Sequence, residues 1–500
     1  MINIGNRREV FFDSFLINKS KTTAEAVVNK PIRKNVIFEC DKPWEGNCCG
    51  YPNVFYAEGK WKFYYGTGNL EIGRAYIAYA ESTDGINWVK PELGIVSYNG
   101  STANNIIADK EVLRSWHCNR LNDAYVFYDE NPNCPKNEKY KMVMCGPDGL
   151  ISLISEDGFY FEFLQLITKD GAFDSQNLAI WSEYHGKYFC FYRGKHTPDE
   201  SVTFDELSFD QPIADRLYDP VTKSHRPPEE GDEPYMRDIR TIESTDFRNW
   251  TKNKLIKTKD DHVQLYTNAV SVYPRAPHVL VSFPARYNER KAWTPTYDEL
   301  FGKELRLKKM SDMIAREGLV ITDGIFMCSR DGYNFERYDQ ALLPPPPENP
   351  LGWVYGDGYA AAGLARTASD IPGADDEYSL YVGENYMSNV GPCQFVRYAS
   401  RLDGFVSRHA AETEKKLVTK KFIYEGKNLY ANIATSAKGY AFFTLKSGDD
   451  EYTSYEVFGN STDKKIHFTD EKGVAKLSGK EVTLTVRMRD CDIYAIRFGK

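Results

Sequence analysis

The chain has 500 residues, which is enough for a large core and for more than one domain. Its net charge of -8, its pI near 5.7 and the lack of an extended basic cluster argue against nucleic acid as a partner. No segment approaches the roughly 20 apolar residues of a membrane-spanning helix, so no membrane is expected either. Aromatic residues make up 14% of the chain, which fits dense all-β packing and also offers flat faces for sugar rings.

The beginning of the chain, MINIGNRREVFFDSFLIN, lacks the apolar stretch of a signal peptide. We therefore expect a cytoplasmic location, or a secreted one if a leader has been removed. The ten cysteines form no C-x-x-C pair, which predicts reduced thiols rather than a zinc site or a disulfide framework. The sequence implies no metal and no other cofactor.

A short motif recurs along the chain and predicts its architecture. Its copies are STDGINW (82 to 88), SEDGFYF (155 to 161), STDFRNW (244 to 250), SRDGYNF (329 to 335) and the degenerate SRLDGF (400 to 405). The aspartates of these copies, Asp84, Asp157, Asp246, Asp331 and Asp403, are 73, 89, 85 and 72 residues apart. An alternating apolar run precedes each copy, as expected for a repeated β-sheet unit that ends in a tight turn. Five units over residues 35 to 410 predict a five-bladed β-propeller with a central funnel.

Different patterns flank the propeller segment. Residues 1 to 34 are predicted to supply a closing strand, with EVFFDSFLI paired to the outer edge of a blade because exposed edges need cover. Residues 415 to 500 contain alternating strands such as YAFFTLKS and EVTLTVRMR without the turn motif, which predicts a β-sandwich. The predicted fold class is therefore all-β, with a five-bladed propeller followed by a C-terminal sandwich.

Two long insertions mark one face of the predicted propeller. Strand polarity places the loops between second and third strands on a common face beside the funnel mouth. These loops are long at 195 to 237 in blade three and at 288 to 322 in blade four, where DELFGKELRLKKMSDMIAREG is helix-like. Long insertions are usually lids or binding walls, although oligomer contacts are an alternative and the oligomeric state stays open.

The same polarity places acidic residues around the funnel mouth. They are Asp123, Asp174, Asp238, Asp323, Asp357 and Glu384, with Glu45 just before blade one. Carboxylates crowded at one mouth repel each other unless some hold protons, cations or sugar hydroxyls. Cleavage of a glycosidic bond uses such a pair, with one carboxyl protonated and one ionised. For any single acid, a turn cap or a surface charge is the alternative.

Basic and amide side chains are predicted at the same mouth. Arg193 and Arg286 end second strands, and Asn177 and Asn268 lie near the starts of inner strands. Guanidinium groups bind carboxylates and phosphates with two parallel hydrogen bonds, which would suit an acidic sugar or a phosphate. Salt bridges to the neighbouring acids are the alternative.

The blade pattern resembles the five-bladed glycoside hydrolases of family 43, the arabinanases and β-xylosidases, and of family 32, the invertases and fructanases. DAYVFYDEN resembles the family 43 segment that opens with the middle aspartate, which implies that Asp123 orients the catalytic acid. YPNVFYAEGKWKFYY matches blade one, but Tyr51 stands where these families carry a catalytic aspartate. Asn177 lies near the position of their general-acid glutamate, with Asp174 three residues earlier. The invertase motifs Asn-Asp-Pro-Asn-Gly, Arg-Asp-Pro and Glu-Cys are absent.

A more specific likeness runs nearly end to end. DKPWEG, FDSQN, LYTNAV and WVYGDGY are shared with bacterial proteins, common in polysaccharide-degrading species, that are described only in general terms as glycosyl hydrolases. Fold transfers well over such a likeness, whereas chemistry transfers poorly.

The predicted function is an exo-acting glycoside hydrolase for a plant- or microbe-derived oligosaccharide. Asp174 is expected to donate the proton, Asp123 to orient it and Glu45 to act as base. The expected substrate-binding residues are Tyr51, Asn177, Arg193, Asn268, Arg286, Asp357 and Glu384. The alternatives are a phosphorylase of the mannosyl-glycoside type and a noncatalytic carbohydrate-binding propeller. The sugar, its linkage and the stereochemical course stay open.

Overall fold

A computed structural model describes most of the chain. The described residues are 1–69, 74–116, 118, 123–196, 218–219, 224–225, 236–260, 263–290, 293–312, 316–345, 349–387 and 391–500. Strands dominate this part of the chain, and its α-helices are ten residues long or shorter, which confirms the all-β class. No helix in the described ranges is long and apolar enough to cross a membrane.

Four short strands precede the first blade: β1 (Ile2–Gly5), β2 (Glu9–Val10), β3 (Glu25–Val28) and β4 (Ile32–Glu39). Blade one contains β5 (Gly50–Ala57), β6 (Lys60–Asn69), β7 (Arg74–Ser82) and β8 (Ile106–Ala108), followed by helix α1 (Lys110–Ser115). Blade two contains β9 (Tyr125–Tyr128), β10 (Tyr140–Gly146), β11 (Gly149–Ser155) and β12 (Glu162–Thr168), with a 3₁₀ turn at Lys136–Glu138. Consecutive strands of each blade pair in antiparallel fashion.

Blade three contains β13 (Leu178–Ser182), β14 (Lys187–His196), β17 (Met236–Ser244) and β18 (Lys254–Leu255), and its insertion holds β15 (Tyr218–Asp219) and β16 (Ser224–His225). Blade four contains β19 (Ser271–Val272), β20 (Leu280–Ser282), β21 (Ala285–Glu289), β22 (Val320–Ser329) and β23 (Phe335–Leu343). The insertion of blade four forms α2 (Pro295–Glu299), α3 (Lys303–Asp312) and α4 (Arg316–Leu319). Most of the predicted blade-three insertion lies outside the described residues.

Blade five completes the ring. After a 3₁₀ turn at Pro350–Trp353, it contains β24 (Tyr359–Ala360), β25 (Ala365–Thr367), β26 (Glu377–Glu384) and β27 (Gln394–Arg401). Its outer strand is β4, which pairs with β27 and so closes the ring. The five-bladed propeller is confirmed, but the closing strand is Ile32–Glu39 rather than EVFFDSFLI.

In blades one to four the aspartate of the turn motif accepts the same two backbone-amide hydrogen bonds. In blade one, the Asp84 Oδ1 accepts from the amides of Ile86 and Asn87 at 2.8 Å each, and the Gly85 amide donates to Ser82 Oγ at 2.9 Å. Burial opposes ionisation of Asp84, but these hydrogen bonds outweigh it and lower the pKa to about 2. The turn also requires a positive φ, which Gly85 provides at 73°.

The fifth copy of the motif connects the propeller to the rest of the chain. The Asp403 carboxylate is fully buried and accepts from the Tyr273 hydroxyl at 2.8 Å, from Arg8 at 3.1 Å and from Asn432 at 3.1 Å. These partners come from blade four, the N-terminal segment and the C-terminal strands. The degenerate motif is therefore a junction rather than a surface turn.

The remaining strands form one connected ten-stranded sheet. They are β28 (Val406–Ala410), β29 (Lys415–Val418), β30 (Phe422–Tyr424), β31 (Asn428–Ser447), β32 (Asp450–Thr453), β33 (Asn460–Ile466) and β34 (Glu481–Gly499), with helix α5 (Gly473–Leu477) between the last two. The N-terminal strands complete this sheet, because β1 pairs with β30, β2 with β34 and β3 with β28. Extra strands thus exist beyond the propeller, but the predicted C-terminal sandwich is not confirmed.

Candidate functional site

Six tyrosines from blades one, four and five meet in one cluster beside the starts of the inner strands. The members of this tyrosine cluster are Tyr51, Tyr266, Tyr287, Tyr355, Tyr359 and Tyr386. Tyr266 stacks on Tyr287 with ring centroids 5.3 Å apart and contacts Tyr359 at 6.0 Å, and Tyr359 contacts Tyr386 at 5.1 Å. Burial and the neighbouring Tyr266 raise the pKa of Tyr51, so its phenol stays neutral. Tyr51, Tyr287, Tyr355 and Tyr359 are buried in this cluster, whereas Tyr266 and Tyr386 are partly buried.

Asp357 lies next to this cluster on a Gly-Asp-Gly segment before β24. Burial, and secondarily the negative charge of Glu384, raises the pKa of Asp357 to about 7. Its Oδ1 accepts from the Tyr386 amide at 3.4 Å, whereas its buried Oδ2 has no hydrogen-bond partner. A neutral carboxyl with one free oxygen can donate a proton to a ligand.

The flanking glycines fix the position of Asp357. Gly356 and Gly358 have φ values of 110° and 89°, which residues with a Cβ rarely adopt. A Cβ at Gly358 would lie 2.5 Å from the Gly324 amide nitrogen, and one at Gly356 would lie 2.3 Å from that of Thr322. The segment therefore packs directly against the backbone of β22.

Glu384 is the ionised partner of Asp357. Burial raises its pKa, but hydrogen bonds from Arg33 at 2.8 and 2.9 Å and from the Tyr398 hydroxyl at 2.7 Å outweigh burial and lower it. Gln394 donates a further hydrogen bond at 2.9 Å. Glu384 is thus held by protein donors, and its charge favours the protonated form of Asp357.

Blade three contributes Arg193 and Asp174. The Arg193 guanidinium lies over the Tyr266 ring, 4.9 Å from its centroid, and is 4% exposed. Its Nε is 3.7 Å from Asp174 Oδ1, which is too long for a hydrogen bond. The Ala172 and Phe173 amides donate to the Arg193 carbonyl at 2.9 and 3.3 Å, and this places Asp174 beside the arginine. The Asp174 side chain is 36% exposed, so it can meet solvent or a ligand.

Asn177, Asp123 and Asn268 belong to a buried polar layer between neighbouring blades. The Asn177 side-chain amide donates to Asp123 Oδ2 at 3.4 Å and to the Phe173 and Ser175 carbonyls at 3.1 and 2.9 Å. Asn268 donates from its side chain to the Gln176 carbonyl at 3.0 Å. These contacts fix the segment that carries Asp174 between blades two and four.

Two of the predicted site residues have partners elsewhere. Glu45 accepts from the Tyr65 hydroxyl at 2.6 Å, from Lys90 at 2.8 Å and from the Lys42 amide at 2.9 Å. Arg286 forms a two-pronged pair with Asp323 at 2.9 and 2.6 Å. None of these partners belongs to the tyrosine cluster.

The structure adds residues that sequence reasoning missed. Arg237, which is 3% exposed, lies 3.9 Å over the Tyr287 ring and donates to Gln264 Oε1 at 2.5 Å. Lys309 of helix α3 lies 5.7 Å from the Tyr355 ring centroid, and burial lowers its pKa. The blade-four insertion therefore packs onto the cluster. Alternation along β17 could have assigned Arg237 to the inner face, but no sequence pattern signalled Lys309.

The described part of the chain has no group of three or more His, Cys, Asp or Glu side chains that could hold a metal ion. All ten cysteines are free thiols.

Comparisons with known proteins place glycoside hydrolases among the matching structures. No family model and no curated protein matches the chain. A solved glycoside hydrolase is 12% identical with a TM-score of 0.43, over 74% of this chain and 92% of its own. A family 43 arabinoxylan arabinofuranohydrolase from Bacillus subtilis, solved with cellotetraose, is 10% identical with a TM-score of 0.39, over 94% and 99%. A glycosyl hydrolase from Bacteroides ovatus is 12% identical with a TM-score of 0.40, over 81% and 97%. Similarities this distant carry no conclusion about the chemistry of this chain.

Proposed function

We propose that the protein is a glycoside hydrolase that works by general acid catalysis in the propeller funnel. The observation that carries this proposal is Asp357, a buried carboxyl with a pKa of about 7 and one unpartnered oxygen beside the tyrosine cluster. Burial, together with the charge of the ionised Glu384 next to it, raises the pKa of Asp357 to about 7, so near neutral pH a large share of it is in the protonated state that a leaving glycosyl oxygen requires. The partly buried rings of Tyr266 and Tyr386 would supply the aromatic surface for the sugar ring.

The roles of the other carboxyls follow from their surroundings. Asp357 Oδ2 would give its proton to the glycosidic oxygen as the bond from the anomeric carbon to that oxygen breaks. Asp174, partly exposed beside Arg193, would be the carboxylate that attacks the anomeric carbon or takes a proton from water. Asp123 would position this segment through Asn177. In this scheme Asp174 is the base or nucleophile, whereas the sequence predicted it to be the proton donor. That Glu45 acts as the base stays a prediction. The three protein groups that donate hydrogen bonds to Glu45 do not favour this role.

An exo-acting mode is supported by the covered cluster. Helix α3 brings Lys309 to 5.7 Å from the centroid of the Tyr355 ring. In this position the blade-four insertion would narrow the funnel on that side. A funnel closed on one side accepts a chain end more readily than a chain interior. We expect digestion of an oligosaccharide to release monosaccharide from the first time points, which size analysis of the products measures. An early ladder of intermediate lengths would contradict this mode.

The variants Glu45→Gln, Asp174→Asn and Asp123→Asn separate the proposed roles. Asp174→Asn should lower turnover by about two to four orders of magnitude, Asp123→Asn by less, and Glu45→Gln should leave turnover near wild type. The measurement is release of a good and a poor aryl leaving group by folded variants. A nucleophile or base defect persists with the good leaving group, whereas an acid defect is largely relieved by it. Wild-type rates in Asp174→Asn would contradict its role, and a large loss in Glu45→Gln would restore Glu45 as the base.

A phosphorylase is the second candidate. Tyr51 is a neutral phenol at the position of the usual catalytic aspartate, and Arg193 is a buried cation with unpartnered nitrogens. A phosphorylase needs a phosphate site and one catalytic acid instead of a water-activating base. Analysis of the products formed with and without inorganic phosphate decides between the hydrolase and the phosphorylase. A sugar phosphate that forms only when phosphate is present would show phosphorolysis and contradict hydrolysis. Sugar binding without any product from a broad glycan panel would favour a noncatalytic binding propeller.

A further inference from the structure

We propose that Arg193 and Arg237 form an oxyanion subsite on the wall between blades three and four. Its ligand would be either an acidic sugar, through its planar carboxylate, or free phosphate, which is tetrahedral. Both present negatively charged oxygens. This inference rests on the proposed carbohydrate function of the funnel and names a charge that the bound molecule carries.

Strand register places the two arginines on the same face of blade three. Arg193 on β14 pairs with Ile239, and Arg237 on β17 pairs with Lys195. Paired residues of an antiparallel ladder project to the same side, and positions two residues apart do so as well. Both guanidinium groups face blade four, where they cover the stacked rings of Tyr266 and Tyr287.

The hydrogen bonds of Arg193 are incomplete. Its Nε and Nη1 are buried and have no hydrogen-bond partner, and the neighbouring carboxylate of Asp174 is 3.7 Å away. A buried cation without hydrogen bonds is destabilising, and proteins normally pair it. The unpartnered nitrogens therefore indicate a ligand oxygen that the protein itself does not supply.

The opposite face of the same blade shows what a fully paired arginine looks like. Arg240 donates to both oxygens of Asp238 at 2.8 and 3.0 Å, and His196 contacts the same carboxylate at 2.8 Å. Arg286 in blade four is paired with Asp323 in the same way. Arg193 differs from both because its acidic neighbour is displaced from hydrogen-bond range.

The geometry also selects the ligand. The unpartnered Nε and Nη1 of Arg193 point in different directions, so each can donate its own hydrogen bond to an anionic oxygen. Charge-assisted hydrogen bonds of this kind are stronger than those to neutral hydroxyls. Neutral sugars would leave the same nitrogens with weaker hydroxyl partners. Charge on the ligand is therefore the property that this subsite recognises.

Titration calorimetry at low salt tests the proposal. The probes are sodium glucuronate, sodium galacturonate and inorganic phosphate, with glucose and galactose as neutral controls. Wild-type protein should bind at least one anion roughly tenfold or more tightly than the neutral sugars, and Arg193→Gln should lose that preference. Arg240→Gln is the matched control and should bind like wild type. Asp174→Asn should bind the anion several-fold more tightly, because it removes a neighbouring negative charge.

The arms of the experiment separate the possible ligands. A preference for uronates indicates an acidic sugar, whereas a preference for phosphate alone indicates a phosphate site. No preference for any anion in the wild type, or an unchanged preference in Arg193→Gln, would overturn the subsite. If Arg193→Gln does not fold, weaker or equal anion binding by Asp174→Asn overturns it instead. Because this experiment measures binding without turnover, it can confirm the subsite even if the protein proves not to hydrolyse glycosides. Equally, it can contradict the subsite while the proposed hydrolysis is confirmed.

Discussion

Asp357→Asn is expected to lower turnover by about two to four orders of magnitude and, at the same time, to stabilise the fold above pH 7. Turnover falls because the amide cannot donate the proton that a leaving group needs. The two effects together mark a group that is kept neutral for function at the expense of stability.

The stability effect follows from the direction of the pKa shift. The folded protein holds the proton of Asp357 up to about pH 7, whereas an unfolded chain releases it near 3.8. Stability therefore falls as pH rises between these values, and the gap corresponds to at most about 4 kcal/mol. The asparagine carries no such ionisation cost, although its side-chain N–H has no partner and costs about 1–3 kcal/mol. Relative to wild type, the net gain at pH 8 should be about 1–3 kcal/mol. Below pH 4, where the wild-type carboxyl is protonated in both states, the variant should instead be about 1–3 kcal/mol less stable.

Urea unfolding at pH 4 and pH 8 measures the stability of the variant, and kcat/KM from pH 5 to 9 measures the wild-type acid. Wild-type kcat/KM should fall as pH rises through about 7, because the acid must be protonated. Asp376→Asn is the control in the same blade, since Asp376 pairs with Arg366 at the surface. It should change stability by no more than about 0.5 kcal/mol and leave turnover intact. Full activity in Asp357→Asn would remove Asp357 from the mechanism.

Asp403→Ala should destabilise the protein by about 3–5 kcal/mol, the largest loss expected for a residue far from the site. The substitution leaves the buried guanidinium of Arg8 with fewer acceptors and leaves the Tyr273 hydroxyl and the Asn432 amide without this partner. The loss affects contacts that join blade four, the N-terminal segment and the C-terminal sheet. We therefore expect the propeller and the C-terminal sheet to unfold separately in the variant. Calorimetry should then show two transitions.

Asp331→Ala is the control for Asp403→Ala, because Asp331 occupies the same motif position as a surface turn. It accepts from the Tyr333 and Asn334 amides at 2.9 and 2.7 Å, and its loss should cost only about 1–2 kcal/mol. The measurement is the free energy of unfolding in urea at pH 7. Equal costs for the two variants would show that Asp403 is an ordinary turn residue.

Local sequence patterns were sufficient for the propeller. Alternating apolar residues and the Ser-x-Asp turn depend on neighbours within a few positions, and the turn at Asp84 uses only residues 82 to 87. The strand polarity that follows from these turns also predicted that Asp174, Arg193 and Asp357 lie on one face of the propeller. Such features are decided by backbone geometry that each repeat carries by itself.

The pairing of distant segments was decided only by the tertiary structure. β4 and β2 are both short N-terminal strands, yet one closes blade five and the other joins the C-terminal sheet. Their local patterns do not distinguish these partners, because the free edges that they cover belong to strands several hundred residues later.

The chemistry of the site depends in the same way on distant contacts. Glu384 is ionised because Arg33, 351 residues away, binds it, and that charge together with burial keeps Asp357 protonated. Glu45 and Arg286 were predicted as site residues, and the structure pairs them with Lys90 and Asp323. The sequence by itself determined the repeated blades and predicted which carboxyls and arginines share one face of the propeller. The tertiary structure decided which of them are paired and which have an atom left for a ligand, because pKa and hydrogen bonding are set by whatever the fold packs around each group.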